Sequence, residues 1–101
     1  RGTVLGYINE LQRRAYGNDD HKIADSDLTL DFLLKERARE LYWEGHRRTD
    51  LIRYGMFTTD KYLWQWKGGE KGGTAVNSKY NIYPIPNTEL TANPNLYNEN
   101  Y

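Results

Sequence analysis

The sequence predicts a mainly α-helical first half joined to an irregular, loop-rich tail, and three observations carry that expectation. Apolar residues recur at helical spacing from Thr3 to Tyr16, and again from Leu28 to Tyr54. Beyond Phe57 the character changes: Gly-Gly pairs stand at 68–69 and 72–73, Pro84, Pro86 and Pro94 follow, and six asparagines fall between Asn81 and Asn100. Such residues favour turns over regular elements, so residues 58–101 are expected to hold at most short strands.

The first helix is placed at about 3–16. Val4, Ile8, Leu11 and Ala15 form its apolar stripe, and Glu10, Gln12, Arg13 and Arg14 fill the other face. Gly17-Asn18-Asp19-Asp20 reads as its C-terminal turn. The second helical region, 28–54, carries Leu30, Leu34, Ala38, Leu41, Gly45, Arg48 and Ile52 on one stripe, with Asp27 or Thr29 as N-cap. Charges three and four residues apart support it, among them Glu36 with Arg39 and Asp50 with Arg53. Gly45 falls on the stripe itself, which predicts a break between a long helix and a shorter one, and Gly55 ends the region. In the tail, Tyr62-Leu63-Trp64-Gln65-Trp66 alternates and is expected to be a short strand, as is Tyr80 to Tyr83, outside any sheet centre because of the prolines.

Fourteen Lys and Arg balance fourteen Asp and Glu, which leaves no net field to draw the chain to nucleic acid or to an anionic membrane. Without cysteine there are no disulfides, zinc thiolates or thiol nucleophiles. No run of about eighteen apolar residues is present to span a bilayer. Leu, Ile, Val and Phe number only 20 of 101, and nine tyrosines and three tryptophans supply most of the remaining apolar surface. A chain of this size buries only about 60–65% of its unfolded surface, so a core this poor in aliphatics is marginal alone. The opening residues are no signal peptide and lack an initiating Met, so a piece of a longer parent is expected.

Few residues carry obvious chemistry. His46 and Asp50 stand four apart with Glu44 near, but the interleaved Arg47, Arg48 and Arg53 make an ion-pair network the better account than a metal site. Glu36, Glu40 and Glu44 align at four-residue intervals, each with an arginine within one turn. Ion pairing lowers a carboxylate pKa where a general acid needs it raised, so no catalytic residue is assigned. No nucleophile elbow or phosphate loop is present, and neither metal nor cofactor is expected. The sharpest binding feature is Tyr62, Trp64 and Trp66, whose period of two would align three ring faces for stacking on sugar. The plainer account is apolar cover for an aliphatic-poor tail.

Three segments taken together resemble the SusD/RagB family of surface glycan-binding lipoproteins. Residues 36–55 match the pattern E-R-x-x-E-L-x-x-E-G-x-R-x-x-D-L-x-R-x-G at every fixed position: Glu36, Arg37, Glu40, Leu41, Glu44, Gly45, Arg47, Asp50, Leu51, Arg53 and Gly55. Tyr80-Asn81-Ile82-Tyr83-Pro84-Ile85-Pro86 is similar to the family's P-I-P tail, and Glu89-Leu90 through Leu96 to its closing segment. Glu99 and Asn100 depart from the usual Pro and Gly of that ending.

The resemblance implies helices of a tetratricopeptide-type superhelix, with 1–101 as the C-terminal part. It implies capture of oligosaccharide at the outer-membrane surface and delivery to a SusC-like TonB-dependent transporter, without catalysis or cofactor. Attachment to the membrane would run through an amino-terminal lipid anchor that this chain does not include. The signature residues then read as scaffold, with Glu36, Glu40, Glu44, Arg47, Asp50 and Arg53 tying helices to the tail by charge-assisted bonds. On that reading Glu44 and Arg47 are expected to lie partly out of water. The alternative is a helical protein-interaction module with no direct sugar contact, docking through Tyr42, Trp43 and Tyr54.

Overall fold

Helical spacing, capping residues and glycine positions divide the first half of the chain much as its sequence requires. The computed structural model describes residues 1–99 and 101, and these form two units, Arg1–His46 and Arg47–Tyr101. Asn100, one of the two departures from the family ending, lies outside the described residues.

In the first unit, α1 runs Gly2–Tyr16 and stops at Gly17, whose N–H donates to the Arg13 carbonyl. The connection that follows is tied back to α1 by Asn9, whose side chain accepts from Ile23 N–H (2.8 Å) and donates to Ile23 C=O (3.2 Å). One amide side chain thereby satisfies both backbone groups of a residue in irregular structure. His21, which carries no predicted role, stacks on Tyr16 with ring centroids 3.8 Å apart. A single 3₁₀ turn, Asp25–Asp27, leads to α2, Leu30–Glu40. Thr29, rather than Asp27, is the N-cap of α2: its hydroxyl accepts from Phe32 N–H at 3.0 Å.

Ile8, Leu28 and Leu34 are the buried apolar side chains of this unit, beside the buried polar pair Gln12 and Glu36. Gln12 Nε2 donates to Glu36 Oε1 at 2.6 Å, and Arg39 Nε donates to the other carboxylate oxygen at 2.9 Å. Arg14 of α1 pairs with Glu40 of α2. The signature glutamates Glu36 and Glu40 therefore join α2 to α1, where the sequence reading ties them to the tail. Glu44 is exposed, against the expectation that it is withdrawn from water. Glu36→Ala is expected to cost about 2 kcal/mol, because Gln12 loses its buried acceptor, and Glu44→Ala about 0.5 kcal/mol or less. A denaturant titration in which the two variants lose equal stability would contradict this ordering.

The predicted break is present: α2 ends at Glu40 and the next helix, α3, is Arg47–Arg53. The turn between them places Trp43 at φ 67° and Gly45 at φ 75°. A Cβ at Gly45 would meet nothing within 4 Å, so backbone geometry and not crowding fixes this residue type. Gly45→Val is expected to cost about 2 kcal/mol, the penalty of a β-branched residue with positive φ. Gly45→Asn should retain most of that stability, as thermal melting of the pair would show.

In the second unit α3 is followed by a turn in which the Leu51 carbonyl accepts from both Met56 and Phe57 N–H. Asp50 and Leu51 are the buried residues of α3, 2% and 3% exposed. The remaining chain is irregular apart from 3₁₀ turns at Lys67–Gly69 and Ser78–Asn81 and a short α4, Asn87–Ala92, which Pro86 precedes. The strands expected at 62–66 and 80–83 do not form; among the described residues no segment is a strand. Side chains take carbonyls there instead, Lys67 that of Tyr62, Arg48 that of Tyr80 and Tyr101 that of Ile82. Asn98 holds Ile85 as Asn9 holds Ile23, accepting from its N–H (2.8 Å) and donating to its C=O (3.1 Å). No helix among the described residues is long and apolar enough to cross a membrane.

Candidate ligand-binding groove

The second unit is organised around one buried amine. Lys67 is 3% exposed. Its Nζ donates to the carbonyls of Thr59 and Tyr62, each at 2.7 Å, and lies 3.5 Å from that of Met56. Three carbonyls spaced three residues apart thus converge on one ammonium, which has three N–H bonds to give. The same residue fixes the loop through its backbone, accepting from Thr74 N–H at 3.0 Å and donating to Trp64 C=O at 3.1 Å. Desolvation by burial lowers the Lys67 pKa, and the charge of Asp60 partly opposes that shift.

The loop 56–76 that closes on Lys67 carries the aromatic residues singled out from the sequence. Trp64 stands over the buried amine, its ring centroid 4.8 Å from Nζ. Phe57 stacks beside it at 6.2 Å with planes 29° apart. Tyr62 lies 6.0 Å from Trp64 at 50° and carries the Arg47 guanidinium 4.8 Å from its centroid. The three rings therefore do not form a coplanar row, because the segment turns instead of extending. Trp66 sits at φ 68° and is 64% exposed.

Trp64 and Trp66 line an open groove of about 860 Å³. Arg48, Phe57, Val76, Tyr80, Tyr83, Pro84 and Tyr101 complete most of its wall. Arg48 joins α3 to the tail side of the groove. Its Nη2 donates to Tyr80 C=O at 2.7 Å, and its guanidinium lies 3.9 Å from the Tyr83 ring centroid and 5.1 Å from that of Phe57. The Tyr101 hydroxyl lies 2.7 Å from Ile82 C=O and 3.0 Å from Lys79 C=O, and its single O–H, shared between these two acceptors, holds Tyr101 against 79–82. The groove wall is thus aromatic faces with a few polar groups, the usual make-up of a site for a small organic ligand.

Of the signature residues in this unit, Arg47 reaches the tail through Tyr62, while Asp50 has Arg53 of its own helix at 3.9 Å. Leu51 is core, Gly55 follows α3, Pro84 lines the groove and Pro86 precedes α4. In the first unit Arg37 and Leu41 are half-buried. Sequence reading missed Arg48, Lys67 and the tail tyrosines 80, 83 and 101. Arg48 sits at a variable position of the pattern, and nothing local marks Lys67 among the other lysines. Among the described residues no three His, Asp or Glu side chains cluster as metal ligands would.

Comparison with known proteins places this architecture. The SusD family model matches residues 2–101. The starch-binding protein SusD of Bacteroides thetaiotaomicron is 52% identical over 101 residues, covering 99% of this chain and 18% of the relative. The chain thus spans under a fifth of the relative's length. Matched across nearly its whole extent by the family model, and sharing half its residues with that relative, the chain belongs to the SusD family.

Proposed function

We propose that this chain is mainly the structural C-terminal part of a non-enzymatic glycan-binding protein of the outer-membrane surface, one that passes oligosaccharide to a SusC-like TonB-dependent transporter. The observation that carries this reading is the groove walled by Trp64, Trp66 and Tyr83, since tryptophan and tyrosine faces suit the apolar C–H faces of pyranose rings. The relative that covers this chain is itself a starch-binding protein. Delivery and surface location rest on the family alone. The full-length protein should quench or shift its tryptophan emission when titrated with maltooligosaccharides, and should leave them chemically intact. Release of shorter sugars from a pure sample would overturn the non-enzymatic reading.

A second reading, a helical protein-interaction module, has its own observation. Tyr42 and Trp43 form an edge-to-face pair on the turn after α2, 75% and 88% exposed. Exposed aromatics of this kind are favoured anchors at protein interfaces. If that turn docks the transporter, Trp43→Ala should weaken the complex in a pull-down with SusC-like protein and leave sugar affinity unchanged.

A further inference from the structure

Among the described residues, both non-glycine residues with positive φ are tryptophans, Trp43 and Trp66. An L-residue in this region costs about 1–2 kcal/mol, and such strain persists only where surrounding structure imposes it. At Trp66 the imposing structure is visible: Lys67 is anchored on three carbonyls, and Trp66 C=O accepts from Gly69 N–H at 3.0 Å. Yet within residues 47–101 the ring is little used. Trp66 is 64% exposed and has no aromatic or cationic partner among the described residues. Trp64, 41% exposed, differs in having partners: Phe57 stacks beside it and the Lys67 amine lies 4.8 Å from its ring centroid.

From this contrast we infer that Trp66 is the stacking platform of a carbohydrate subsite in the groove, facing an uncharged pyranose, with Trp64 as its fixed wall. The inference rests on the glycan-binding reading and narrows it. The cations on the wall are already engaged, Lys67 with carbonyls and Arg48 with Tyr80 C=O and the rings of Tyr83 and Phe57. What the groove offers an incoming ligand is ring faces, which match the C–H face of a neutral sugar and give no counter-charge to an acidic one.

Trp66→Gly separates this role from a structural one, because glycine accepts φ 68° without strain. In the full-length protein this variant is expected to melt at or above the wild-type temperature while binding maltoheptaose at least fivefold more weakly. With 5-fluorotryptophan incorporated and resonances assigned through Trp66→Phe and Trp43→Phe, saturating maltoheptaose should move the Trp66 signal and leave Trp43 in place. Cellohexaose and xylohexaose serve as second and third neutral probes. Binding that persists within twofold in Trp66→Gly, with an unmoved Trp66 signal, would overturn the subsite and leave the glycan reading standing. A lowered melting temperature would make the ring structural, and no binding of any probe by wild type would remove both readings together.

Discussion

Replacing Lys67 with methionine is expected to destabilise the protein by about 3–5 kcal/mol, since it strips the donor from the carbonyls gathered on Nζ and each buried acceptor left unsatisfied costs about 1–3 kcal/mol. Methionine fills similar volume, so the loss is electrostatic. The carbonyls of Thr59 and Tyr62, and Met56 behind them, would face one another without a donor. Lys67→Arg should also destabilise, since a planar fork does not match three carbonyls gathered around a point. Desolvation sets the pH dependence as well. Below the lowered pKa of Lys67 both folded and unfolded states carry the proton. Between that pKa and the ordinary 10.5 the unfolded state binds more protons, so stability rises with pH through this window. Denaturant titrations at pH 7, 9 and 10 should show wild type gaining on Lys67→Met as pH increases. A loss below about 1 kcal/mol would mean the amine does not organise the loop, and an advantage that shrinks with pH would mean that the fold raises the Lys67 pKa instead of lowering it.

Gly73→Ala is expected to be nearly as damaging, at about 2–4 kcal/mol, by a different route. Gly73 has φ 81°, and a Cβ there would press into the Trp64 carbonyl oxygen and lie 3.3 Å from Leu63 Cβ. Backbone strain and steric overlap therefore add, and neither neighbour is the free end of a flexible side chain. Gly69 supplies the control: its φ is 83° but nothing lies within 4 Å of the added atom. Gly69→Ala should cost only the strain, about 1–2 kcal/mol. Equal melting temperatures for the two variants would contradict the close approach of 73 to the Trp64 backbone. Because that approach also fixes Trp64, Gly73→Ala should perturb its fluorescence while Gly69→Ala should not.

Much of the helical half was legible because its determinants are local. The helical spacing around Ile8, the Thr29 cap and the glycine that breaks the long helical pattern act over a few residues each, and each leaves its mark in the sequence. The stripe itself is shifted, since Val4 and Ala15 are exposed and Gln12, expected on the other face, is buried because Glu36 takes its amide. The tail was legible only as irregular. Its order comes from single long-range bonds, Lys67 to three carbonyls, Arg48 to Tyr80, and Asn98 to Ile85, and no periodicity announces those pairings. Alternation at 62–66 suggested a strand, but a strand needs a partner to fill its hydrogen bonds, and the buried amine takes the carbonyls of 59 and 62 instead. The three aromatics were visible as residue types; their unequal roles appear only once Arg47 covers Tyr62, Phe57 flanks Trp64 and Trp66 is left open. Of the charged signature, Glu36 and Glu40 bind α1 and Glu44 stays exposed, while its neighbour Arg48 binds the tail.

Hydrogen–deuterium exchange of the full-length protein, with and without maltoheptaose, tests most directly whether this chain contributes to glycan contact. The account predicts slowed exchange in residues 62–69 and 80–84 on binding, with the turn at 42–45 unchanged. Protection confined to segments outside residues 47–101 would contradict it and leave this chain as scaffold alone.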